Sequence, residues 1–282
     1  MRIMAKRNKG KKRLRLNWAT WIWLLLVVIL VLLASRYVDA TGNSSQSATA
    51  TELDALESVS LPDGTASTLC VYTGYKSYFN PTLHIPNCVV YELTGDETEG
   101  TEKRYDTFLT DENVEGCPTT DDYKYSGYDR GHMAPAGDMK WSEEAMRESF
   151  YLTNICPQVK ALNTGQWNNL EGQVRQWAKR DSSLIVVTGP IVGDNPGTIG
   201  DSKVAVPDGF FKVILAHRAN PPRAIGFIYS NEKPTGKIAN HAVSVDDVEA
   251  LTGIDFFAAL PDDVEAQVES QCDFKQWNYR VK

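Results

Sequence analysis

The sequence predicts an α+β fold built on a mainly antiparallel sheet. Three observations predict it. Short apolar runs rich in Val, Ile, Phe and Tyr recur along the body, turns containing Gly, Pro or Asn join several of them directly, and few stretches carry helical periodicity. With 42% hydrophobic and 10% aromatic residues in 282, the chain has a globular composition.

The elements run in order along the chain. Cys88-Val89-Val90-Tyr91-Glu92-Leu93 is a strand. Thr94 to Tyr125 is polar, acidic and turn-rich, a long surface excursion. Ser142 caps a helix whose first turn holds Glu143 and Glu144. Phe150 to Ile155 reads as a short buried strand. From Gln166 to Lys179, Trp167, Leu170, Val174 and Trp177 fall at steps of three and four, which predicts an amphipathic helix. Leu184 to Val187 is a core strand ending at Gly189-Pro190. Phe210 to Ala216 and Ala224 to Tyr229 are two more, separated by Asn220-Pro221-Pro222. Ser244 opens a helix with Asp246 and Asp247 in its first turn, and Gly253 stops it.

Charge divides the chain. Residues 1–40 hold nine Lys and Arg against Asp39 alone, a net of +8 that leaves −15 for residues 41–282 of a chain whose total is −7. Residues 1–17 form a basic segment, and 18–35 an apolar one in which Trp18 to Ala34 are interrupted only by Thr20. As a helix that run measures roughly 25 Å, a little short of a ~30 Å hydrocarbon core. The positive flank predicts export of the residues after Arg36, either on a retained anchor or after cleavage of a signal peptide behind Ala40. Residues 41–67, rich in Ser, Thr, Ala and Gly, read as a flexible linker with a short helix near Glu52–Glu57, and 68–282 as one domain. The acidic body argues against tight passive nucleic-acid binding, though not against an enzyme with a local positive site.

Five cysteines (Cys70, Cys88, Cys117, Cys156 and Cys272) contain no C-x-x-C pair, so structural zinc is disfavoured. In an oxidising compartment four could pair in three ways; Cys88 with Cys117 is the weakly favoured bridge, and Cys156, in an apolar run, the free thiol.

The chemistry centres on Asp129-Arg130-Gly131-His132, which holds one of only four histidines. Gly131 lets the backbone bend or approach a ligand, turning the histidine outward. An ordinary imidazole titrates near ~6.5 and can take a proton from water at neutral pH. On that basis activity should fall below about pH 6. No H-E-x-x-H or comparable cluster accompanies His132, which disfavours zinc hydrolysis. A neutral amide oxygen with water suits a hard ion such as magnesium. Asn163, just before the amphipathic helix, fits that ligand, although taken alone it is more often a helix cap. Glu171 and Arg175 continue along the helix, the first to hold a metal-bound water and the second to touch phosphate.

Asp129-Arg130-Gly131-His132-Met133-Ala134-Pro135 resembles the signature of the DNA/RNA non-specific endonucleases, which include Serratia-type nuclease and endonuclease G. Tyr151 to Gln158, Leu162 to Trp167, Leu170-Glu171, Thr188-Gly189-Pro190, Val206-Pro207 with Phe211 to Ile214, and Leu251-Thr252-Gly253 with Leu260-Pro261 are similar in order and spacing. The resemblance spans about Val89 to Val264. It implies a ββα-metal (His-Me finger) fold, a central sheet flanked by helices, and a nuclease cutting both DNA and RNA to 5′-phosphate ends. It also implies His132 as general base, Asn163 as the one protein ligand of hydrated magnesium (manganese as substitute), and Glu171 holding the water shell. Asn154 becomes an accessory active-site residue, Arg104 the transition-state arginine, and Arg130 and Arg175 phosphate contacts. The expected molecule is thus a membrane-anchored, extracytoplasmic nuclease, its partners being DNA, RNA and the membrane that receives its N-terminal helix. The competing readings are a phosphodiesterase for other substrates and a catalytically silent nucleic-acid-binding module.

Overall fold

A computed structural model describes residues 51–278. The basic and apolar segments expected over 1–17 and 18–35 lie outside the described residues. The chain divides into Met1–Leu53 and a larger compact unit, Asp54–Lys282. The compact unit therefore begins at Asp54 rather than at Thr68. Lys76 binds Asp54 at 2.5 Å and Glu57 at 3.1 Å, and Ser60 pairs with Asp255, so part of the expected linker is fastened to the body.

Within that unit the strands are β1 (Thr68–Val71), β2 (Lys76–Asn80), β3 (Ile85–Thr94), β4 (Asp129–His132), β5 (Ile155–Gln158), β6 (Ser183–Ile191), β7 (Thr198–Ile199), β8 (Val204–Ala205), β9 (Gly209–Ala216), β10 (Arg223–Ser230) and β11 (Ala242–Val243). The main helices are α1 (Glu143–Glu148), α2 (Asn168–Asp181), α3 (Val245–Thr252) and α4 (Asp262–Glu269). Seven strands form one sheet in the order β1-β2-β3-β6-β9-β10-β11, and every neighbouring pair is antiparallel. The α+β reading holds.

β6 and β9 are buried along almost their whole length, so helices must cover both faces of the sheet. Successive residues of one strand show which helix covers which face. Phe210 meets Trp167 and Phe227 stacks on Trp177, both from the α2 region, with centroids 5.7 and 6.1 Å apart. A Cβ on Gly226, the neighbour of Phe227, would lie 2.8 Å from Val248 of α3. Leu170, Val174, Trp177 and Ala178 are the buried face of α2, as its periodicity predicts. Each such large apolar side chain contributes about 1.5–3 kcal/mol on burial.

Three local expectations change. Phe150 to Asn154 is no strand: Leu152–Asn154 is a 3-10 turn, and the strand begins at Ile155. The helix of α2 is entered through a wide π-type turn, Asn163–Trp167, broken at Gly165. All five cysteines are free, and Cys88 is buried while the Cys117 sulfur accepts the Asp111 N–H. No Cys88–Cys117 bridge forms.

Candidate active site

β3 and β6 are neighbours in the sheet, yet the chain between them makes a long detour. That detour holds a separate β4–β5 hairpin followed by α2, two strands and a helix. His132 closes β4 opposite Ile155, and Gly131 stands opposite Cys156. A Cβ at Gly131 would lie 2.4 Å from the Gln158 Oε1 and 2.7 Å from its Cβ, so only glycine leaves room for Gln158 here.

His132 lies between two phenylalanines. Its ring sits 5.3 Å from Phe108 and 4.9 Å edge-on from Phe150. The acidic excursion delivers Phe108, anchored where the Leu109 N–H binds the Phe150 carbonyl and Leu109 accepts from the Leu152 N–H. His132 Nε2 is buried without a hydrogen-bond partner among the described residues. Burial, then the charges of Arg104 and Arg130, hold the imidazole down to about 3. Both causes favour the neutral imidazole, so the shift runs downward from the ordinary value near 6.5 on which the expected loss of activity below about pH 6 rests.

The two arginines frame that slot. Arg104 stacks over Phe150 at 4.9 Å and Arg130 over Phe108 at 4.4 Å. Arg104 is half exposed and its Nε touches Asp106 at 2.8 Å. Its charge acts on both His132 and Glu171.

Asn163 stands at the entry to the π-type turn. Its Nδ2 donates to Asp129 Oδ2 at 3.0 Å, which fixes the amide and turns its oxygen away from the strand partner. Asp129 therefore orients Asn163. The carboxylate of Glu171, in the first turn of α2, makes no hydrogen bond among the described residues. Burial raises its carboxyl to about 7, Lys212 opposing the rise and Asp138 adding to it.

Behind Glu171 lies a buried ionic cluster that sequence reasoning missed. Asp138, 1% exposed, takes Arg175 Nη1 at 2.6 Å and the Tyr91 hydroxyl at 2.8 Å. Lys212, equally buried, donates to its cross-strand neighbour Thr188 at 2.5 Å and lies 5.1 Å over Trp167. Burial draws the Lys212 ammonium down to about 8 against the pull of Glu171. A lysine inside an otherwise apolar β9 was the available sequence signal.

Two of the expected site residues are bound to protein partners. Arg175 Nη1 pairs with Asp138 Oδ1. Asn154 is wholly buried, and its amide accepts the Ala134 N–H and donates to the Ala134 and Ser149 carbonyls, so it fixes the main chain beyond His132.

The sequence model of the DNA/RNA non-specific endonuclease family matches residues 54–263. A frog (Xenopus laevis) protein named mitochondrial nuclease EXOG is 35% identical over 240 residues, covering 79% of this chain and 66% of its own. The human protein of that name is 35% identical over 212 residues, covering 67% of this chain and 56% of its own. The chain thus spans less than two thirds of either relative. A chain in the crystal structure of an EndoG/EndoGI complex superposes with a TM-score of 0.64 at 29% identity, covering 68% of this chain and 86% of that one. This neighbour carries the ββα-metal fold, as the hairpin and α2 do here. The relatives are mitochondrial nucleases, and among the described residues no helix is long and apolar enough to cross a membrane. The mitochondrial naming of the relatives overturns the expected membrane-anchored, extracytoplasmic placement; the segment expected to form the anchor lies outside the described residues.

Proposed function

The chain belongs to the DNA/RNA non-specific endonuclease family, and on that premise we propose that it hydrolyses phosphodiester bonds of DNA and RNA without sequence preference, leaving 5′-phosphate ends. The observation that carries this reading is His132, a neutral imidazole in an apolar slot with a cation on either side. A base must be unprotonated to work, and burial beside two arginines favours that form here. With Nε2 buried, Nδ1 is the nitrogen that meets a water from the open side.

A water then attacks phosphorus in line as His132 takes its proton. The new O–P bond forms, the P–O3′ bond breaks, and the leaving 3′ oxygen is protonated from solvent. Arg104 and Arg130 sit where they can neutralise the phosphate oxygens as charge builds on them. Because water rather than the 2′-hydroxyl is the nucleophile, either sugar is accepted.

The residues present fit a hard cation. Asn163 offers a neutral oxygen whose amide partner is already tied down, and Glu171 an unpartnered carboxylate, a donor set suited to magnesium, or manganese in its place, rather than zinc. Asn163 would hold the ion and Glu171 its waters. When bound it would supply Lewis acidity toward the phosphate oxygens. Asn154 and Asp129 act as positioning residues, and Arg175 through Asp138.

Digestion of supercoiled plasmid and of RNA, each with magnesium, manganese, calcium or chelator, tests the reading beside a chromogenic phosphodiester. Cleavage of both polymers that chelator stops is the expected result. Turnover of the small phosphodiester alone would replace the reading with its competitor.

A further inference from the structure

The sheet face opposite α2, where α3 packs, holds a second concentration of carboxylates. Asp246 and Glu249 lie one helical turn apart on α3, and Glu269 ends α4. Ligand oxygens from all three lie within 4.8 Å of one another. Glu269 is 5% exposed, and its Oε1 is buried with no hydrogen-bond partner among the described residues. Glu249 is oriented, since its Oε1 accepts the Phe256 N–H at 2.8 Å. Among the described residues no Lys or Arg forms an ion pair with any of the three.

Such an arrangement needs a proton or a cation. A carboxylate at the C-terminal end of α4 faces the negative end of the helix dipole. Burial, and then Glu249, Glu265, Asp246 and Asp255, push Glu269 up to about 8. A cation relieves all three groups at once, whereas one proton relieves one. The spacing suits it: two oxygens on one calcium ion lie at most about 5 Å apart. Asp246 is exposed, so water can complete the coordination from outside.

We propose that Asp246, Glu249 and Glu269 form a second site for a hard divalent cation, which pins α4 to α3. No histidine or arginine joins the cluster and Asn163 takes no part, so the site is structural and independent of nucleic-acid cleavage.

Calorimetric titration of calcium, with magnesium and manganese in parallel, tests this in the full chain carrying Asn163→Ala, so that binding at the hairpin does not contribute. One site per chain and a Tm raised by the ion are expected. Adding Glu269→Gln should abolish both. Adding Asp246→Asn, an exposed change that the fold tolerates, should weaken affinity by about tenfold or more. Should Glu269→Gln fail to fold, Asp246→Asn decides alone. Affinity unchanged by Asp246→Asn overturns the site. So does the absence of any binding, which leaves the three carboxyls sharing a proton.

Discussion

The two sides of α2 treat charge in opposite ways. On the open side, Arg104 and Arg130 rest over phenylalanine rings beside a neutral histidine, and Glu171 has no hydrogen-bond partner. On the closed side, Asp138 is satisfied by Arg175 and Tyr91, and Lys212 by Thr188. Under the proposed function, the open groups await a substrate and a cation. The closed groups complete each other and hold the β4 loop, β3 and α2 in register. A charge in a protein of this kind is thus legible as brace or as reagent only once its partner is known.

Breaking the closed side should cost most. Asp138→Ala leaves Arg175 half-buried and uncompensated, an expected loss of about 3–5 kcal/mol in urea unfolding. A loss under about 1 kcal/mol would mean the cluster is no brace. Next comes Asn163→Ala, expected to raise the magnesium concentration for half-maximal cleavage by about 10–100-fold, with Asp129→Ala acting in the same direction and by less. If Asp129→Ala left the magnesium requirement untouched, the hydrogen bond to Asn163 would be idle.

A smaller effect concerns stability against pH. His132 titrates from 6.5 unfolded down to about 3 folded, so the unfolded chain gains the proton first. Its contribution is fully present above 6.5 and is lost as pH falls toward 3, by up to about 1.4 kcal/mol per unit. The stability of wild type relative to His132→Gln should therefore shrink from pH 6.5 to 4, and a constant difference would place the imidazole in water. The smallest effect joins the two sides. Lys212 lowers the Glu171 carboxyl, so Lys212→Met should move the acid limb of the activity profile to higher pH by less than about one unit. An unmoved limb would separate the closed side from the open one.

Much of the site and the fold was legible in the sequence. Asp129 to His132, Asn163 and Glu171 are close in sequence and carry chemistry of their own, and the α2 stripe of Trp167, Leu170, Val174 and Trp177 is a local period. The antiparallel sheet was visible through apolar runs and turns. What sequence did not show is set by tertiary partners. The pairing of Arg175 with Asp138, 37 positions away, is invisible in the sequence. Nothing local announces the three main-chain bonds of Asn154. Phe108 sits in a stretch read only as polar and acidic, and its pairing with Phe150 depends on a bridge across that excursion. The apolar slot then moved His132 far from its ordinary titration.

The most direct test of the open side is plasmid relaxation with magnesium by wild type and His132→Ala, both shown to be folded by circular dichroism. A general base of this kind is worth about 10²–10⁴-fold, so cleavage by the variant should fall at least that far. Relaxation at the parent rate would contradict the assignment of His132, and with it the account of the site.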